Sequence, residues 1–129
     1  MKKMRGQELV EFALVLPVFC VMLIGLFEVG RIIYTKHNLD KAVREASRSA
    51  AVIIDPITAV LTGNTICQQV LTSLNMTGVS CNSAVARINN VDVVRVTASY
   101  LFQPMLSSGQ FAFIPQMNLS SNSSMRKEG

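Results

Sequence analysis

From Leu9 to Tyr34 the chain reads LVEFALVLPVFCVMLIGLFEVGRIIY, apolar throughout except for Glu11, Glu28 and Arg31. A helix of that length spans ~39 Å at 1.5 Å per residue, enough to cross a ~30 Å hydrocarbon layer. With 129 residues in all, the chain has room for this segment and one small domain. Pro17 falls inside the run. It removes a backbone donor and crowds the carbonyl of Ala13, so a kink or local melting is expected there. Glu11 sits beside Phe12, inside the apolar stretch. A carboxylate in lipid is costly and marks function by default. The plainer alternative is that Glu8 and Glu11 cap the helix among lipid headgroups.

The chain carries twelve Lys and Arg against eight Asp and Glu, a formal charge of +4. The basic residues are dispersed: Lys2, Lys3 and Arg5, then five between Arg31 and Arg48, then Arg87, Arg95, Arg126 and Lys127. They read as flanks and solvated helix faces, and DNA is not the expected partner. If DNA were bound, Arg87 and Arg95, taken as sharing one sheet face, would be the place. The basic tip MKKMR fits a secretory signal, but LIGLFEVGR offers no A-x-A site and Glu28 intrudes. The positive-inside count places three basic residues before the span and five after it, which by itself favours the wrong end inside.

Of three cysteines, Cys20 lies in the apolar run and reads as inert packing. Cys67 and Cys81 flank a short soluble stretch. Outside the cytoplasm they can close a loop of about 15 residues, stabilising by roughly 3 kcal/mol on the chain-entropy estimate. That pair argues for an external C-terminal part. There is no CxxC, and the single histidine, His37, is far from both, so zinc is not expected. No phosphate-binding glycine loop and no G-x-S-x-G occurs. Neither an enzyme, a cofactor nor a small-molecule substrate is expected.

Beyond the apolar run the helical period continues to Ile54. Ile32, Leu39, Ala46 and Ile53 recur every seven residues, with Val43 and Ala50 beside them. Asp40 with Arg44, and Glu45 with Arg48, are spaced to pair. Asp55-Pro56 should end this helix, because the residue before proline avoids helical angles. A short helix is predicted over Thr65–Asn75, stopping at Gly78. The period then changes to two. Val85–Ile88 and Val91–Phe102 read as strands joined by an Asn89-Asn90 turn, with Val94, Val96, Ala98, Tyr100 and Phe102 on one face. A last strand runs from about Pro115 to Met125 and fades into Ser and Asn. The segment from Met105 to Ile114, with Phe111 and Phe113, reads as core-facing, against a membrane-surface loop or a subunit contact. The expected fold class is α+β: a long N-terminal helix whose second half carries a small antiparallel sheet.

The segment RGQELVEFALVLPVF resembles a class III prepilin leader, a basic tail ending in glycine with a glutamate fifth after the cut. FEVGRIIYTKHNLDKAVREASRSAAV and the terminal SSNSSMRKEG resemble the TadE-like minor pilins of Tad (Flp, type IVc) pilus systems. The resemblance covers about the first fifty residues and reappears at the C-terminus. It implies a pilin-like fold, with a leader at 1–6, a transmembrane or filament-core helix at 7–34, a helical spine at 35–54 and a periplasmic α+β head at 55–129. It implies prepilin-peptidase cleavage between Gly6 and Gln7. In assembled pilins the glutamate at the position of Glu11 is thought to meet a neighbour's new α-ammonium and set register. Glu28, Gly30 and Arg31 fall on the family's membrane-exit motif. Glu28 either pairs with Arg31 one turn on or contacts a partner subunit. The implied partners are other pilins and minor pilins, the peptidase, the inner-membrane assembly platform and lipid. The implied location is the bacterial inner membrane, single-pass with the N-terminus cytoplasmic, and the extracellular pilus where the subunit is incorporated. The rivals are a bitopic scaffold that never leaves the bilayer, and an exposed tip adhesin or DNA-binding module.

Overall fold

The computed structural model describes residues 4–89, 91–105 and 115–127. In chain order the elements are α1 (Met4–Ala51), α2 (Pro56–Ser73), β1 (Val79–Ile88), β2 (Val91–Phe102) and β3 (Met117–Arg126). The chain divides into two units, one ending at Ile33 and the other beginning at Tyr34. The α+β class is borne out: a long apolar helix, a second helix and a small antiparallel sheet.

In the first unit the residues of α1 stay helical on both sides of Pro17, so no melting occurs there. Its apolar side chains are turned outward all round, with Leu14 70% and Phe27 75% exposed. Hydrophobic exposure without a polar face is what a helix built for lipid or for other helices presents.

In the second unit the sheet has the order β1-β2-β3, antiparallel throughout. Its inner face takes Val94, Val96 and Ala98 from β2, which meet Leu39, Ala42, Val43, Ala46 and Ala50 of α1 in one buried cluster. Cys67 and Leu71 of α2 complete it. Of the stripe predicted on α1, Leu39, Val43, Ala46 and Ala50 are in the cluster, whereas Ile32 is only half-buried and Ile53 lies past the helix end. This core is alanine- and valine-rich, and each fully buried valine or leucine stabilises by only about 1.5–3 kcal/mol. Small side chains let the helix lie close on the sheet but leave little apolar area to bury. At Gly63 of α2 the approach is closest: a Cβ there would stand 2.7 Å from the Ser83 hydroxyl and 3.5 Å from Ala50.

Several boundaries differ from the sequence-based expectation. α1 stops at Ala51, three residues early, and α2 begins at Pro56, nine residues before the expected Thr65. Asp55 is extended (φ −76°, ψ 122°), as a residue before proline must be, and its carboxylate accepts the Thr58 N–H at 3.0 Å. Pro56 then takes the first helical position, where its missing N–H costs nothing. The same dipeptide that bars α1 therefore starts α2. α2 ends at Ser73, two residues before the expected Asn75, and the left-handed residue that stops it is Asn75, at φ 57°, rather than Gly78. The Met76 N–H reaches the Leu71 carbonyl and the Asn75 N–H the Thr72 carbonyl, a Schellman motif with Met76 packed back on the core. β1 starts at Val79, six residues before the expected Val85.

The hairpin is as expected in register: Ile88 pairs with Val91, and Asn89 holds φ 50°, the sign a two-residue turn needs. Asn90 lies outside the described residues, as do Phe111 and Phe113 with the rest of 106–114. Among the described residues neither Asp40–Arg44 nor Glu45–Arg48 forms an ion pair. Asp40 instead meets Lys36 at 3.6 Å and accepts the buried Ser121 hydroxyl.

Two exposed carboxylates tie the head's stability to pH. Hydrogen bonds from the Thr58 hydroxyl and N–H hold Asp55 below its ordinary value of 3.8. The Arg87 guanidinium, 2.9 Å away, does the same for Asp92. A lowered folded-state value means the unfolded chain binds protons first. The stabilisation is therefore complete above 3.8 and is lost as pH falls through the folded values. Thermal unfolding of the full chain in detergent should show the midpoint falling below that pH. Asp55→Asn, which keeps a capping acceptor but cannot ionise, should flatten part of the fall; an undiminished fall would refute the assignment.

Candidate functional site

The N-terminal motif residues lie together on the first turns of α1. Gly6 and Gln7 are exposed, and a Cβ on Gly6 would meet nothing within 4 Å. No packing within the chain explains a glycine there. Glu8 and Glu11 are exposed one turn apart, and Val10 and Phe12, which flank Glu11, are each 63% exposed. Among the described residues no cation reaches Glu11. In a bilayer that carboxylate would stand in apolar surroundings with only the helix N-terminus to favour it, roughly 0.3–1 kcal/mol.

At the end of the first unit Glu28 is 3% exposed. Arg31 Nη1 lies 3.4 Å from both of its carboxylate oxygens, three residues on. The two ends of the apolar helix thus differ. Glu11 is open and Glu28 is enclosed beside a cation. Gly30 is open, with nothing within 4 Å of an added Cβ.

In the second unit Cys67 and Cys81 are joined, tying the middle of α2 to β1 with Cα atoms 6.3 Å apart. Cys20 is a free, exposed thiol in the first unit. Among the described residues no three His, Cys, Asp or Glu side chains gather to hold a metal.

The register places Arg87 and Arg95 on opposite sides of the sheet, correcting the expectation that they share one. Arg95 stands opposite Ala84, and Arg87 opposite Asp92. Along β1 the even positions face outward with Arg95, and Arg87 is odd. Arg87 is moreover engaged by Asp92 at 2.9 Å.

The polar seam between β3 and α1 was not foreseen from sequence. Ser121 bonds Asp40, Ser123 lies 3.0 Å from Ser47, and Lys36 donates to the Ser120 carbonyl. Just past the strand, Lys127 donates to the Ile54 carbonyl. The available signal was the pairing of a serine-rich strand with polar positions, Asp40 and Ser47, beside the apolar stripe.

Among the described residues one helix, Gly6–Ala51, is long and apolar enough to cross a membrane by length and composition. With the three-stranded sheet and α2 behind it, the chain has the make-up of a single-pass membrane protein bearing a small α+β head. Residues 6–48 match the model of the family described as TadE-like protein. The resemblance read from the N-terminal motifs is thereby borne out over that segment, which is similar to TadE-like proteins of the Tad pilus system. The matched segment ends within α1 and reaches neither α2 nor the sheet. No curated protein and no solved structure matches the chain.

Proposed function

We propose that the chain is a minor pilin, or pseudopilin, of a Tad (type IVc) pilus: a non-enzymatic subunit that takes part in filament initiation, assembly or the tip complex. It inserts in the inner membrane with its N-terminus cytoplasmic and its head periplasmic, where Cys67 and Cys81 can oxidise. The prepilin peptidase cuts after Gly6. Gln7 then bears a free α-amino group, and Glu11 is fifth from it. The carrying observation is the outward apolar helix with a carboxylate at Glu11 that no cation among the described residues reaches, inside the family-matched segment. Such a surface is satisfied by lipid while the subunit waits and by sibling helices when it assembles, and only the second supplies an ammonium for Glu11. The Glu28–Arg31 pair then marks the level at which the helix leaves the apolar layer.

The test is one gel. Wild type and Gly6→Ala are compared with wild type from a peptidase-null strain. Wild type should run faster by the six-residue leader, and the other two should run together at full length. Equal mobility in all three removes the cleavage step. The bitopic-scaffold alternative is separated by shearing: a trimmed protein found in the membrane but never in sheared filaments belongs to the assembly machine and not to the fibre.

A further inference from the structure

The outer face of the sheet is the part of the head that the pilin reading does not use. Across the three strands the register aligns Ser80, Ser99 and Ser120 in one rank and Asn82, Thr97 and Asn122 in the next. Each of these side chains is exposed or half-exposed. The following rank is Ala84, Arg95 and Ser124, and Arg126 stands diagonally from Arg95, opposite Val93. By strand geometry the two arginines are about 7–8 Å apart. Both are exposed, and among the described residues no outward position of the sheet carries a carboxylate. Between β1 and β2 the small Ala84 leaves a shallow depression beneath Arg95, walled by Ser80, Asn82, Thr97 and Ser99.

We infer that this face binds an acidic polysaccharide, a chain of sugars bearing carboxylates. Arginine presents a planar fork of donors that matches a carboxylate, and two forks on one face match two carboxylates along a polymer. The neighbouring ranks are hydroxyls and amides, which both donate and accept. Sugar hydroxyls need both, whereas a duplex backbone offers chiefly acceptors. A duplex also carries one charge per ~1.7 Å, far more than two guanidiniums answer. Among the described residues no aromatic ring stands at an outward position of the sheet for a sugar to stack on, so neutral glycans lack a hold and the carboxylates decide binding. Apolar outward side chains, Ile88 and Leu101, stand at the two ends of the face, and the depression between them is lined chiefly by polar groups, so it does not suit a lipid. The site belongs to the head alone and does not depend on whether the chain enters a filament.

The experiment uses the full chain in a zwitterionic detergent without a sugar headgroup, and reads retention on immobilised alginate, dextran and duplex DNA at low salt. Alginate should retain it, weakening as salt rises, and dextran should not. Arg95→Gln with Arg126→Gln should weaken alginate retention at least about tenfold, while Arg87→Gln, on the other face, should leave it unchanged. Retention on dextran equal to that on alginate, stronger retention on DNA, equal loss in Arg87→Gln, or no retention on alginate would each overturn the inference.

Discussion

A chain carrying Glu11→Gln is expected to reach the membrane and be trimmed like wild type, yet to fall at least about tenfold in sheared filaments. The cause is a difference between two surroundings of one carboxylate. In the lone subunit Glu11 is open on an apolar helix, and no cation among the described residues reaches it. An ionised side chain at the centre of a bilayer costs ~2.5–3.5 kcal/mol, and somewhat less this near the helix end. The helix dipole offsets a fraction of that, but it does so equally before and after assembly and so gives no direction. An ammonium from a neighbouring subunit is present only after docking. Even ~1.4 kcal/mol of relief is a tenfold preference for the docked state. Glutamine keeps the size and hydrogen bonding of the side chain and removes the charge, so it is comfortable alone and gains nothing from docking. Glu8→Gln, nearer the end and the headgroups, serves as the control and should change yield little. Wild-type filament yield from Glu11→Gln would remove the role given to this residue.

The second large effect is thermodynamic. Replacing both Cys67 and Cys81 with alanine should destabilise the head by about 3 kcal/mol and lower its thermal midpoint by roughly 12–24 °C. The bridge closes a loop between residues 14 apart in sequence, spanning the last turns of α2 and the start of β1. The buried cluster it supports is mostly alanine and valine, and a core so poor in large side chains leaves a narrow margin. Alanine is the right replacement, since Cys67 is fully buried and serine would add an unpaired hydroxyl. Full-length protein in detergent, followed by circular dichroism, gives the midpoint, and reductant added to wild type should reproduce the shift. A midpoint unmoved by either treatment would show that the link is idle.

How far the sequence reading reached depended on whether each element's partner shared its chemistry. The α1 stripe through Leu39, Val43, Ala46 and Ala50 was legible because helical spacing and apolar partners agree. β2 was legible over its whole length, Val91–Phe102, because strict alternation set Val94, Val96 and Ala98 against Arg95, Thr97 and Ser99. The first half of β1 was missed because Ser80, Asn82 and Ser83 have low strand propensity, and their place is set by pairing with β2. The start of α2 was missed because Asp55-Pro56 was taken only as a stop. The inward serines of β3 were missed because the rule of apolar side chains inward fails where the opposing helix face carries Asp40 and Ser47. Arg87 and Arg95 were expected to share one face. The two-residue hairpin reverses parity between β1 and β2, so odd positions face inward on the first and outward on the second. The N-terminal motif lies within the family-matched residues, and in the function proposed above Glu11 meets groups on other molecules, so a single chain places it without finishing it.

The serine-lined strand β3 has a consequence for how the molecule comes into being. It leaves the ribosome after α1, α2, β1 and β2, yet it fastens to α1. Closing a contact between such remote parts of the chain is slow, because the intervening loop must be ordered before anything is gained. Until it closes, the exposed flank of the helix is Lys36, Asp40 and Ser47, groups that water solvates well. The half-made head therefore waits with a wetted flank where an oily one would invite misassembly, and it closes only when β3 has arrived.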